Sequence, residues 1–125
     1  MKIRLLIVDD VSDTRVKLRK GLEKIDPNYE IFEAKGGKEC LEIIKKIKPD
    51  IVLMDIVMPD LDGFQTTMSL REDPETRNTL VVFLTVRSDE MSRRIGKMLG
   101  KGYLLKPINP SDIDYEIKSV LTDNY

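Results

Sequence analysis

The chain has 125 residues, with 21 Lys and Arg against 22 Asp and Glu, one Cys and no His or Trp, a length that suits one domain, residues 1–125, with a real core and is too short for two. At 41% hydrophobic, 34% charged and a formal net charge of -1, it has no global attraction for nucleic acid or anionic lipid. The missing histidine removes Ser-His-Asp and Cys-His catalysis and His-ligated zinc, and the lone Cys40 allows neither an internal disulfide nor a cysteine metal cluster.

Residues 3–8 (IRLLIV) form a run too short for a helix and rich in Ile, Leu and Val, as expected of a strand buried on both faces. Val11, Leu18, Leu22 and Ile25 then share a helical stripe, with Lys and Arg on the opposite side. Residues 30–34 (EIFEA) are a weaker strand, followed by a second stripe of Leu41, Ile44 and Ile47. Residues 50–54 (DIVLM) repeat the strand texture, and Phe64 with Met68 make a shorter stripe. Residues 80–84 (LVVFL) predict a fourth strand, and Met91, Ile95, Met98 and Leu99 a helix at i, i+4, i+7, i+8. The weak strand 102–105 (GYLL) precedes a last helix of Ile113, Ile117, Val120 and Leu121, with Asn109 as N-cap, Pro110 at the first helical position and Asp112 in the first turn. No apolar stretch reaches the roughly 18 residues of a membrane span, and the start lacks the layout of a signal peptide, so the expected address is the cytoplasm.

Five strand-helix units in strict alternation predict an α/β fold, a doubly wound parallel sheet covered on both sides. In such sheets ligands bind beyond the carboxyl ends of the strands. The first strand ends in Asp9-Asp10, the third in Asp55, the fourth in Thr85, and the fifth runs into Lys106-Pro107. Any one of these taken alone reads as a cap or a turn former. All of them at one edge read as a site. Clustered carboxylates repel unless some are protonated or a cation joins them, and a hard divalent ion such as Mg²⁺ suits oxygen ligands. A metal, a lysine and a hydroxyl around one carboxylate can stabilise phosphoryl transfer onto it.

LLIVDD, LMDIVMPDLDG, FLT and LLKP, in this order and spacing, resemble the receiver domain of two-component response regulators over essentially the whole chain. The resemblance implies a flavodoxin-like sheet of order 2-1-3-4-5 with five helices. It implies Asp55 as phosphoacceptor, and Mg²⁺ held by Asp9, Asp10, Asp55 and the backbone carbonyl of Val57. It further implies Thr85 as the switch hydroxyl, Lys106 as its charged companion, Tyr103 as the aromatic coupled to Thr85, and a cis Lys106-Pro107 bond. The implied partner is a sensor histidine kinase or histidine phosphotransfer protein. A homodimer or effector surface is implied on the fourth helix, fifth strand and fifth helix; the cations gathered there beside Tyr103, Arg93, Arg94, Lys97 and Lys101, read either as part of it or as a solvated helix face, and neither nucleic acid nor membrane is an expected partner.

Met58-Pro59 and Gly63 are expected to turn the chain after Asp55, Gly63 through positive φ. Asp60 and Asp62 hint at a calcium loop, but Met58 and Ser69 would fill its first and last ligand positions, so the two are read as decoys. Val57 offers no polar group to orient water, and Arg87 is long and cationic; together they imply slow self-dephosphorylation, with Arg87 shielding or pairing with the phosphoryl group. Val86 stands where the family has a small residue, and either narrows access to Asp55 or packs into the core. Cys40 reads as a small core residue.

Two other functions are compatible with parts of the pattern. A haloacid-dehalogenase-like phosphatase also uses a strand-end aspartate, but needs a second Asp two residues later as proton shuttle, where this chain has Val57. A pseudo-receiver, purely a protein-interaction module, would lack one of the key residues, and all are present. The expectation is therefore a phosphoryl acceptor and not a turnover enzyme.

Overall fold

The computed structural model describes residues 2–123. Its elements alternate throughout: β1 (Ile3–Val8), α1 (Ser12–Ile25), β2 (Tyr29–Ala34), α2 (Gly37–Ile47), β3 (Ile51–Met54), α3 (Gly63–Glu72), β4 (Leu80–Thr85), α4 (Glu90–Leu99), β5 (Gly102–Leu105) and α5 (Pro110–Asp123). The strands form one parallel sheet in the order β2-β1-β3-β4-β5, the flavodoxin-like arrangement.

Strand position explains strand texture. β1, β3 and β4 lie inside the sheet and are almost wholly buried, so their sequences are continuous apolar runs. The weaker runs are β2 and β5, the two edges. Alternate residues feed two cores. Leu5, Ile7 and Leu53 pack with Leu18 and Leu22 of α1 and Ile113 and Ile117 of α5. Leu6, Val8 and Met54 pack with Ile44 of α2 and Leu70 of α3 on the other face. Asp50, expected in the third strand, precedes it and accepts the Arg4 N–H at 2.7 Å.

Three helical stripes sit differently from their apolar pattern. Val11 and Ile25 stay 49% and 39% exposed at the two ends of α1. In α3 it is Thr66, Thr67 and Leu70 that turn inward while Met68 is exposed; the two hydroxyls donate to the carbonyls of Asp62 and Gly63, both at 2.8 Å, which makes their burial tolerable. In α4 the buried residues are Ser92 and Gly96, and Met91 and Met98 lie open to solvent. A Cβ on Gly96 would come within 2.4 Å of the Tyr103 ring, so the missing side chain is what lets α4 settle onto β5. α5 follows expectation: Ile113, Ile117 and Val120 are buried, and Asn109 Oδ1 caps the Asp112 N–H at 2.9 Å.

Candidate functional site

The carboxyl edge of the sheet is assembled by ladder bonds that run one residue past each strand. Asp9 N–H donates to the Ala34 carbonyl, Asp55 N–H to Val8, and Lys106 N–H to Thr85, at 3.2, 2.9 and 2.8 Å. These bonds put Asp9, Asp55 and Lys106 side by side. Carboxylate oxygens of Asp9, Asp10 and Asp55 lie within 4.8 Å of one another, Asp9 and Asp55 buried and Asp10 exposed. Lys106 Nζ donates to Asp9 Oδ2 at 2.6 Å and to Asp55 Oδ2 at 3.2 Å. Asp55 Oδ1 accepts the N–H groups of Ile56 and, more weakly, Val57, at 2.7 and 3.4 Å. The Lys106-Pro107 bond is cis, as the resemblance implies.

One ammonium among three carboxylates leaves an excess of two negative charges. Burial holds the Asp55 carboxyl above the usual range; Lys106 opposes that, and Asp9 adds to it. Burial also works against the Lys106 ammonium, but the hydrogen bond to Asp9 and the charges of Asp55 and Asp9 outweigh it, so its pKa is raised and it stays charged. A divalent cation matches the residual charge and the all-oxygen donor set.

Thr85 is wholly buried at the end of β4, and its Oγ1 accepts the Arg87 N–H at 3.3 Å. Tyr103, half-buried on β5, donates its hydroxyl to the Arg87 carbonyl at 2.6 Å, with its ring against Phe83. The main chain of Arg87 thus joins the two expected switch residues, a link carried by backbone and invisible in side-chain identities. The Arg87 side chain pairs with Asp89 at 3.5 Å. Val86 is 67% exposed, so it does not pack into the core.

Around the β3–α3 loop one reading changes and another gains a structural role. Gly63 has no positive φ. It is needed for space: a Cβ there would sit 2.2 Å from the Asp55 carbonyl oxygen and 2.9 Å from the Ile56 Cα. Asp60 and Asp62 are capping residues. Asp62 forms a capping box with Gln65 at the start of α3, and Asp60 reaches across to accept the N–H groups of Gly37 and Lys38 at the start of α2. Cys40 is buried in the core, as expected, and burial pushes its thiol up to about 12.

The sequence reading also missed Arg15. It lies on the cationic side of α1, yet its guanidinium folds back so that Nη1 donates to the Asp9 carbonyl at 2.6 Å and Nε to Glu33 at 2.9 Å.

The doubly wound sheet, with clustered aspartates and one lysine at its carboxyl edge, is the arrangement that the resemblance to two-component receiver domains implies. Residues 5–118 match the response regulator receiver domain family, and the chain belongs to that family. It is 39% identical over 119 residues to protein PilH of Pseudomonas aeruginosa, covering 94% of this chain and 97% of that protein. It is 34% identical to a probable transcriptional regulator, ycf27, of Porphyridium aerugineum, over 96% of this chain but only 48% of the relative. The chain spans about half the length of several such relatives. Among solved structures, the chemotaxis protein CheY4 of Vibrio cholerae superposes with a TM-score of 0.87 at 26% identity, covering 96% of this chain and 99% of that one. A response regulator from Chloroflexus aurantiacus gives 0.85 at 31%, covering 98% and 99%. The protein is a receiver domain of a two-component system, a signal-transduction module with an acidic pocket suited to a phosphoacceptor.

Proposed function

We propose that residues 1–125 form one receiver domain in which Asp55 accepts a phosphoryl group from a phosphohistidine on a sensor kinase or a histidine phosphotransfer protein. The observation that carries this is the pairing of one lysine with two of three aspartates gathered within 4.8 Å at the carboxyl edge of the sheet. Asp9, Asp10, Asp55 and the Val57 carbonyl are the groups that would hold Mg²⁺, which when bound supplies the positive charge a transferring phosphoryl group needs.

The chain's own residues prepare the acceptor. The Ile56 N–H fixes the rotamer of the Asp55 carboxylate, and burial excludes competing water. An Asp55 oxygen forms the new bond to phosphorus as the P–N bond of the donor breaks and its electron pair returns to the imidazole. Lys106 is placed to share the added charge, since its ammonium already contacts Asp55. Thr85 is drawn toward the phosphoryl group and gives up the Arg87 N–H; the Arg87 carbonyl then shifts under the Tyr103 hydroxyl. That movement would reach α4, β5 and α5, the surface for a second copy or an effector. Val57, apolar and 52% exposed beside Asp55, offers no hydrogen bond to an attacking water, which supports a long-lived acyl phosphate. Among the described residues no helix is long and apolar enough to cross a membrane; a cytoplasmic address goes with the proposed phosphohistidine donor.

Incubation with acetyl phosphate and Mg²⁺, followed by intact-mass analysis, tests the reading. One phosphoryl group on the wild type and none on Asp55→Ala is the expected result. No adduct on the wild type, or an equal adduct on Asp55→Ala, overturns it.

A further inference from the structure

Asp10 is aimed by backbone alone. Its carboxylate is exposed and has no hydrogen-bond partner among the described residues, whereas Asp9 is held by Lys106 and by the Val11 N–H at 2.9 Å. The orientation of the Asp9-Asp10 peptide therefore sets the Asp10 Cα–Cβ bond, and with it the region its carboxylate can reach. That peptide lies one residue beyond β1, and its carbonyl is taken by Arg15 Nη1 at 2.6 Å.

Arg15 is itself held firmly. Its Nε meets Glu33 Oε1 at 2.9 Å, and the two side chains are only 15% and 20% exposed. Glu33 Oε2 binds Arg19 at 2.7 Å, and Arg19 in turn donates to the Ile31 carbonyl at 2.8 Å. The network ties the beginning of α1 to the edge strand β2. A cation in the opening turns of a helix opposes the helix dipole, so its presence there calls for another stabilising role. Burial and a fixed two-ended geometry identify that role as holding the carbonyl.

We propose that Arg15, braced by Glu33, is a positioning residue for the metal site: it sets the Asp9-Asp10 peptide so that the Asp10 carboxylate points at the cation. The inference rests on the Mg²⁺-dependent reading above. The charge pattern fits a purely geometric task. An arginine contacting the aspartates directly would compete with a cation. Here it touches only a carbonyl, and Glu33 neutralises it.

This arrangement makes the sign of the effect diagnostic. Arg15→Met removes a positive charge near a divalent ion, so electrostatics alone would tighten Mg²⁺ binding. Loss of positioning weakens it, by roughly tenfold or more, the scale on which groups orienting metal ligands act. Glu33→Gln keeps an acceptor for Arg15 but leaves Arg15 and Arg19 with no facing carboxylate. Its weakening is electrostatic and shrinks at high ionic strength, while that of Arg15→Met persists.

Mg²⁺ affinity is measured by calorimetry at low and high salt, with thermal unfolding of each variant in parallel. Arg4→Met is the comparison: Arg4 pairs with Glu30 at 2.7 Å on the same sheet, at the opposite end of β1, and its loss should leave Mg²⁺ affinity within about twofold. Affinity in Arg15→Met equal to or tighter than wild type overturns the inference while leaving the functional reading intact. So does a loss matched by Arg4→Met, which would mean general destabilisation. A wild type that binds no Mg²⁺ overturns both.

Discussion

Replacing Gly63 with alanine should damage the fold and the proposed acceptor together, because its missing side chain is the space in which Asp55 and Ile56 run. The new Cβ would lie 2.2 Å from the Asp55 carbonyl oxygen, about 0.8 Å inside the 3.0 Å floor of real Cβ contacts. The two next-nearest atoms, the Ile56 Cα at 2.9 Å and the Asp55 carbonyl carbon at 3.0 Å, are also main chain, so no side chain can swing aside. Either the start of α3 retreats, breaking the 2.8 Å bond from Gly63 N–H to the Ile56 carbonyl, or the Asp55 peptide moves. Overpacking of this kind costs about 3 kcal/mol, which lowers the unfolding midpoint of a domain this size by about 10 °C. A displacement of Asp55 approaching 1 Å slows acceptance by roughly a hundredfold. Calorimetry and the rate of labelling by acetyl phosphate measure the two effects. Gly102→Ala is the control, since its nearest neighbours are side-chain atoms of Glu116 and Val82 at 3.3 Å. If Gly63→Ala melts and labels like Gly102→Ala, the steric reasoning is wrong.

Gly96→Ala should gain roughly 1 kcal/mol of helix propensity and lose a comparable amount by pushing the Tyr103 ring, 2.4 Å from the new Cβ. The expected signature is a nearly unchanged melting point with displaced Tyr103 ring resonances in NMR; unmoved resonances would contradict it. Asp60→Ala removes the acceptor for the Gly37 and Lys38 N–H groups and should cost roughly 1 kcal/mol, seen as a fall of a few degrees in the unfolding midpoint; an unshifted midpoint refutes the capping role. The Cys40 thiol is raised by burial to about 12 from an ordinary 9.0, so the native state keeps a proton that the unfolded chain releases. Its stabilising contribution is complete below pH 9 and is lost between there and about 12, at about 1.4 kcal/mol per pH unit. Denaturant titrations of wild type and Cys40→Ala should diverge in slope over that range, and the native thiol should resist alkylation at neutral pH; parallel slopes or rapid alkylation would refute this.

The alternating architecture and the acidic edge were legible in the sequence because both are written in residue type. Buried strands need apolar runs, and a cluster of aspartates has few uses. α4 shows where that legibility stops. Its apolar period predicts a helix correctly, but Ser92 and Gly96 face the sheet because Tyr103 needs room, a requirement set by β5 and absent from the helix itself. Asp60 fails as a metal ligand on spacing, yet its capping of α2 depends on a loop 22 residues away. In the sequence Arg15 is one of several cations on the polar side of α1; only the path of β2 reveals Glu33 beside it. Gly63 was expected to serve conformation and instead serves proximity. In each case the deciding neighbour lies outside the residue's own element of structure.

The lysine that clasps two aspartates has a further consequence for how the protein comes into being. Lys106 is 97 residues from Asp9 and 51 from Asp55. A chain growing from its amino terminus holds both acids long before the base that steadies them exists. Until β5 joins the edge of the sheet, the acids face each other without their counter-charge. A fragment cut before β5 would keep Asp9 and Asp55 but lose the ammonium that contacts both of them.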